Sequence, residues 1–252
     1  MGHVIAVANQ KGGVGKTTTA VNTAAFLAAK GHRVLLVDLD PQGNATSGLG
    51  VDKNALEYSL YDGISGHVTF QSVVQPVGIE NLWLAPSNRQ LVGAEIELVD
   101  AARREYRLRE VLEPVSHEYD FVFIDCPPSL SLLTINGLTA ASGVIITLQC
   151  EYYALEGLSE LLQTIKLVRD NLNQRLRLKG VLLTMHTRTR LAAQVEADVR
   201  EHLGGQVYET IIPRNVTLGE APSFGQPVLL YDPSCTGAHA YSALAEEILT
   251  RG

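Results

Sequence analysis

Lys11-Gly12-Gly13-Val14-Gly15-Lys16-Thr17-Thr18 lies between an apolar run, Val4 to Ala8, and an Ala-rich stretch of helical spacing, Thr19 to Lys30. Glycines allow the tight turns that aim successive backbone N–H groups at one point, and a helix start adds partial positive charge there. Strand, glycine loop and helix in that order predict a phosphate cradle, with Gly12, Gly13, Val14, Gly15, Lys16, Thr17 and Thr18 as nucleotide-binding residues. Lys16 has the position of the lysine that reaches the β- and γ-phosphates, and the Thr17 hydroxyl that of a Mg²⁺ ligand, a metal that prefers hard oxygen donors. The general pattern Gly-x4-Gly-Lys-Ser/Thr would put glycine at position 10, where this chain has Gln10 followed by a second lysine, Lys11.

Two further strands end in carboxylates. Arg33 to Val37 runs into Asp38-Leu39-Asp40-Pro41-Gln42-Gly43-Asn44, and Tyr119 to Ile124 runs into Asp125-Cys126-Pro127-Pro128-Ser129. The carboxyl ends of strands are where open α/β sheets bind ligands. Alternation along a strand points Asp38 and Asp40 to one side, and carboxylates beside a triphosphate make sense with Mg²⁺, lysines and an attacking water. An aspartate there can also cap a helix. Asp125, in a Walker B position, is the second expected Mg²⁺ ligand, and Pro127-Pro128 stop further strand pairing. Near the C-terminus, Val207 to Ile212 reads as a strand entering Pro213-Arg214-Asn215, where the sequence by itself says only that the chain turns.

Lys-Gly-Gly-Val-Gly-Lys-Thr-Thr resembles the deviant Walker A loop of the ParA/MinD group of ATPases. Asp-Leu-Asp-Pro-Gln-Gly-Asn, Gln-Cys-Glu-Tyr-Tyr-Ala-Leu-Glu-Gly (149–157) and Ile-Pro-Arg-Asn-Val are similar to segments of its ParA (Soj) branch, so the resemblance spans nearly the whole chain. It implies a Mg²⁺-dependent ATPase with slow basal turnover in which ATP joins two subunits into a homodimer. Catalysis would fall to Lys11, Lys16 and Asp40: Lys11 reaches the partner subunit's ATP and Asp40 directs the water. Pro213 and Asn215 would line the adenine pocket. It also implies non-specific binding of double-stranded DNA on the nucleoid, and a ParB-type centromere-binding partner that triggers hydrolysis in chromosome or plasmid segregation.

Outward from these motifs, apolar runs recur near 4–8, 33–37, 80–85, 120–124, 143–149, 179–185 and 207–212, with helical patterns at Leu155 to Val168, Leu191 to Leu203 and Ala238 to Leu249. Such alternation predicts a doubly wound, mainly parallel α/β sheet of about seven strands, one P-loop ATPase domain over residues 1–252. Val51 to Pro76 is polar and irregular and reads as a surface excursion. The chain enters its first strand almost at once, so neither a signal peptide nor an N-terminal helix-turn-helix extension is expected, and no run approaches the ~18 apolar residues of a membrane span. A cytoplasmic protein with three reduced thiols, Cys126, Cys150 and Cys235, is expected. These cysteines do not suit a shared iron–sulfur cluster. The tail, with Glu246 and Glu247, lacks the basic amphipathic character of a MinD-type membrane helix, so no membrane partner is expected.

Net charge is −7, so DNA contact would need a local basic patch. Arg103, Arg104, Arg107 and Arg109 form one cluster, Arg175, Arg177 and Lys179 a second, and Arg188 with Arg190 a third; each is also what an ordinary solvated face looks like. The resemblance favours Arg188, Arg190 and Arg214. Thr217 stands where relatives carry an arginine, and Asp232 to Gly237 holds no basic residue. A switch that docks on a protein scaffold without DNA is the alternative. A metabolic ligase or kinase would need a second substrate site, for which no residues stand out.

Overall fold

A computed structural model describes residues 2–251. Its strands are β1 (His3–Ala8), β2 (Val34–Asp38), β3 (Gln75–Pro76), β4 (Leu82–Ala85), β5 (Phe121–Asp125), β6 (Gly143–Gln149), β7 (Arg177–His186) and β8 (Val207–Pro213). The helices are α1 (Lys16–Ala29), α2 (Asn44–Gly48), α3 (Leu60–Ser65), α4 (Phe70–Val73), α5 (Leu91–Glu97), α6 (Arg107–Leu112), α7 (Leu132–Ala140), α8 (Ala154–Asn171), α9 (Arg190–Leu203), α10 (Thr217–Glu220), α11 (Val228–Tyr231) and α12 (Thr236–Arg251).

The strands form one sheet in the order β3-β4-β2-β5-β1-β6-β7-β8, parallel throughout except for the β3–β4 pair. Every residue of β2 and β5 is buried, the mark of a sheet covered on both faces. Alternate side chains serve two cores. Val4, Ala6, Leu35, Val37, Val122 and Ile124 pack on one face, under α3 to α9. Ile5, Val7, Val34, Leu36, Phe121 and Phe123 pack on the other, under α1 and α12. Ala20, Ala24, Ala25 and Ala28 let α1 lie close to its neighbours, and the Thr19 hydroxyl meets the buried Tyr241 hydroxyl of α12 at 3.1 Å. Leu27 is wholly buried there; cutting such a side chain to alanine costs about 2–5 kcal/mol.

The eight strands among the described residues are one more than the sequence suggests. The extra one, β3, is a two-residue edge strand that ends in Pro76, tolerable only at an edge because proline has no N–H to donate. The segment Val51 to Pro76 is also more than a surface excursion. Its helices α3 and α4 bury Leu60, Ile64, Phe70 and Val73, and a capping box between Ser59 and Asp62 starts α3, with the Ser59 N–H donating to Asp62 Oδ2 at 2.8 Å. The helix after the glycine loop begins at Lys16 rather than Thr19, which puts its positive end inside the motif.

Because β5 and β6 flank β1 on opposite sides, successive connections leave the sheet centre in both directions, and the loops after β1, β2 and β5 open beside one another at the carboxyl edge.

Candidate nucleotide site

The glycine loop leaves β1 and turns into α1 through two left-handed glycines, Gly13 at φ 72° and Gly15 at φ 81°. An L-residue at either position would be strained. Side chains from neighbouring strands tie the loop down: the Thr184 hydroxyl of β7 donates to the Val14 carbonyl at 2.9 Å, and the Asn9 amide donates to the Thr147 carbonyl of β6 at 2.5 Å. The Lys11 N–H in turn donates to Asn9 Oδ1 at 2.9 Å.

Above the loop lies a cleft lined by Gly12, Gly13, Gly15, Lys16, Thr17 and Thr18, and across from them by Asp40 and Pro128. Lys16 is 6% exposed, and its ammonium donates to the Lys11 carbonyl at 2.9 Å. Burial lowers its pKa, while Asp125 and Asp40 hold the charge in place. Asp40 is nearly buried and its Oδ1 accepts the Gln42 N–H at 2.9 Å.

Asp38 and Asp40 do not share one job. The Asp38 carboxyl turns to α2, where its Oδ2 accepts both the Thr46 N–H at 2.8 Å and the Thr46 hydroxyl at 2.7 Å. The Thr46 Oγ1 also accepts the Ser87 N–H at 2.9 Å, so Asp38 fastens the loops after β2 and β4. This is the capping use of an aspartate, acting here from outside the helix. Asp40, not Asp38, faces the cleft.

Asp125 ends β5 beneath the loop, wholly buried, with neither carboxylate oxygen in a well-formed hydrogen bond among the described residues and the Thr17 hydroxyl as the polar group beside it. Burial raises its pKa well above the usual carboxylate range; Asp38 and Asp40 add to this, while the Thr17 hydroxyl and the Lys16 ammonium oppose it. Burial likewise lifts Asp38 to about 6, against the Thr46 hydrogen bonds. A buried carboxylate, a threonine hydroxyl and a second carboxylate are a hard-oxygen set that suits Mg²⁺. Cys126, next in sequence, is no nucleophile, since burial pushes its thiol far above the usual range.

The remaining candidates divide. Lys11 turns its ammonium to Glu151 of its own chain, at the turn after β6. Pro213 and Asn215 do not line the cleft: the Asn215 amide donates to the Thr236 hydroxyl at 2.9 Å and its Oδ1 accepts the Leu218 N–H at 3.3 Å. The outer wall comes instead from Met185 and from Ala221, Pro222, Gln226 and Pro227. Asn22 of α1 ties that wall to the loop side, accepting the Val228 N–H at 2.8 Å while its amide donates to the Thr18 carbonyl, also at 2.8 Å. The sequence by itself assigns no role to Asn22 or to the wall; an asparagine inside an alanine-rich helix is the available signal.

Arg188, Arg190 and Arg214 are exposed. The His186–Pro213 register and the Arg214 N–H donating to the His186 carbonyl at 3.0 Å bring their backbones to one edge. In the other two clusters Arg103 and Arg104 pair with Glu110 and Glu105, and Arg177 donates to the Gln174 and Leu176 carbonyls.

A family model described as an AAA domain matches residues 2–178. The sporulation initiation inhibitor protein Soj of Bacillus subtilis is 54% identical over 253 residues, covering all of both chains. The chromosome-partitioning ATPase Soj of Thermus thermophilus is 54% identical over 248 residues, covering 98% of this chain and 95% of its own. Among solved structures, cobyrinic acid a,c-diamide synthase from Mycobacterium smegmatis with bound ADP and magnesium is 41% identical, with a TM-score of 0.86, covering 99% of this chain and 94% of that one.

Proposed function

Because this chain belongs to the Soj (ParA-type) family of AAA-domain partitioning ATPases, we propose that it is a nucleotide-driven segregation switch whose 252 residues act as one ATPase domain. It hydrolyses ATP to ADP and phosphate and uses Mg²⁺. The observation that carries the proposal is the convergence at one sheet edge of the glycine loop, the buried Lys16, Asp40 facing the cleft and the buried Asp125.

In this reading the N–H groups of Gly12 to Thr18 cradle the phosphates and Lys16 neutralises charge on the transferred group. Thr17 and Asp125 would hold Mg²⁺, which would supply charge compensation when bound. Asp40 positions the attacking water. Phosphoryl transfer depends mainly on positioning and electrostatics, so a site short of one cation turns over slowly. Lys11 of a second copy supplies that cation, and the active form is an ATP-bound dimer. The walls from Met185 and 221–227, rather than Pro213 and Asn215, seat the base.

The dimer then holds DNA without sequence preference through Arg188, Arg190 and Arg214, and a ParB-type partner triggers hydrolysis and release, on the nucleoid in the cytoplasm. Segregation is preferred to ligation because the Soj relatives match at higher identity over the whole chain than the diamide synthase does. Co-sedimentation with unrelated DNA sequences in ATP and in ADP tests the DNA step. Salt-sensitive binding in ATP alone is expected. Absence of binding at low salt, with dimers present in the same sample, would favour a switch that docks on a protein scaffold.

A further inference from the structure

The pairing of Lys11 with Glu151 is the contact in this molecule that the proposed cycle leaves unused. The Lys11 backbone is held from several sides: its N–H donates to Asn9 Oδ1 at 2.9 Å, its carbonyl accepts the Lys16 ammonium at 2.9 Å, and Asn9 is itself tied to β6. Glu151 is also fixed in its backbone, its N–H donating to the Gln149 carbonyl at 2.8 Å and its carbonyl accepting the Ala154 N–H at 2.9 Å. Only the two side chains are free to move. They are 57% and 46% exposed, so the ion pair is a surface one, weak enough to open and reform.

We infer that Glu151 is a positioning residue that holds Lys11 in the free subunit, and that pairing of two copies around ATP takes Lys11 away from it. The inference rests on reading Lys11 as the lysine that acts across the dimer. Without Glu151, the Lys11 ammonium would sit beside the subunit's own phosphate loop with no fixed orientation. With it, the ammonium is drawn to the β6–α8 turn, on the same surface as Tyr152 and Tyr153. Those two rings are 76% and 72% exposed and pack edge to face at 5.0 Å. Large aromatic side chains left in water beside a movable charge suit a surface that a second copy covers, because aromatics are enriched and charges depleted at interface centres. The clasp therefore opposes dimer formation once per subunit, and it stops mattering when a γ-phosphate offers Lys11 a stronger partner.

Glu151→Gln keeps the shape of the side chain and removes its charge. Sedimentation velocity in ATP should show the dimer tightened about five-fold, the sum of two modest surface pairs released. The protein concentration giving half-maximal hydrolysis per subunit should fall by the same factor, with the plateau rate unchanged. ATP affinity at concentrations too low for pairing should stay at the wild-type value and the melting temperature should fall by no more than about 1–2 °C, the loss of one surface pair, whereas a merely structural role for Glu151 would lower both further. Lys11→Ala, measured beside it, should lose the dimer while still binding ATP. If Lys11→Ala loses the dimer but Glu151→Gln dimerises no more tightly than wild type, the clasp is wrong and the cross-dimer role stands. If Lys11→Ala dimerises normally, the cross-dimer role fails and the clasp falls with it.

Discussion

Asp38 and Asp125 stand directly opposite each other across the β2–β5 pair, both wholly buried, yet only Asp38 has its oxygens in well-formed hydrogen bonds. Natural proteins rarely leave a buried carboxylate without partners, because the desolvated charge is costly. Asp125 is therefore a place where the fold gives up stability, and a bound cation would recover it.

That relationship sets a pH dependence. Both carboxyls have folded-state pKa values raised by burial, Asp38 to about 6 and Asp125 well above the usual range. The folded state then binds more protons than the unfolded one between the ordinary carboxylate value and the raised values, so stability falls as pH rises through that window. The nucleotide-free protein should lose stability progressively between pH 4.5 and 7.5, Asp38 alone accounting for on the order of 2 kcal/mol and Asp125 adding in the same direction. Asp125→Asn should remove much of that loss and raise the melting temperature at pH 7.5 while weakening Mg²⁺-dependent nucleotide binding. A variant melting like wild type at both pH values would mean that Asp125 is not strained.

Lys16→Ala should weaken ATP binding by roughly ten- to a hundred-fold, the worth of charge-assisted hydrogen bonds to phosphate. Isothermal titration calorimetry reads this directly. The fold should survive, since the Lys16 ammonium makes one hydrogen bond, to the Lys11 carbonyl.

Asn22→Ala leaves the buried Val228 N–H without its acceptor. The expected cost is about 1–3 kcal/mol of stability. Because the tether joins α1 to the 221–227 wall, the KM for ATP should rise more than kcat falls. An unchanged KM in steady-state assays would detach that wall from nucleotide binding.

Replacing Arg188, Arg190 and Arg214 together by alanine should lower DNA affinity for every sequence alike. The slope of log K against log salt should shrink by about one for each phosphate contact removed. Fluorescence anisotropy across a salt series in ATP would show it, and an unaltered slope would move the DNA surface elsewhere.

The glycine loop, the parallel sheet and the three strand-end aspartates were legible in the sequence because each is a local pattern: glycine before a helix, an apolar run before a carboxylate. Relations that depend on tertiary structure were not. Nothing local distinguishes Asp38 from Asp40, and only the packing of Thr46 and Ser87 against Asp38 separates a fastening carboxylate from one that faces the cleft. Asn22, Glu151 and the 221–227 wall lie far in sequence from what they touch. The two-residue β3 is too short to carry any period, and its proline argues against a strand everywhere except at an edge.

The central claim is that Asp40 directs the water for hydrolysis at a site otherwise complete for ATP binding. Single-turnover hydrolysis of radiolabelled ATP by Asp40→Ala, with light scattering on the same samples, tests it most directly. The account predicts ATP binding near the wild-type level, hydrolysis slowed by at least about a hundred-fold and accumulation of an ATP-bound dimer. Hydrolysis at the wild-type rate would contradict it.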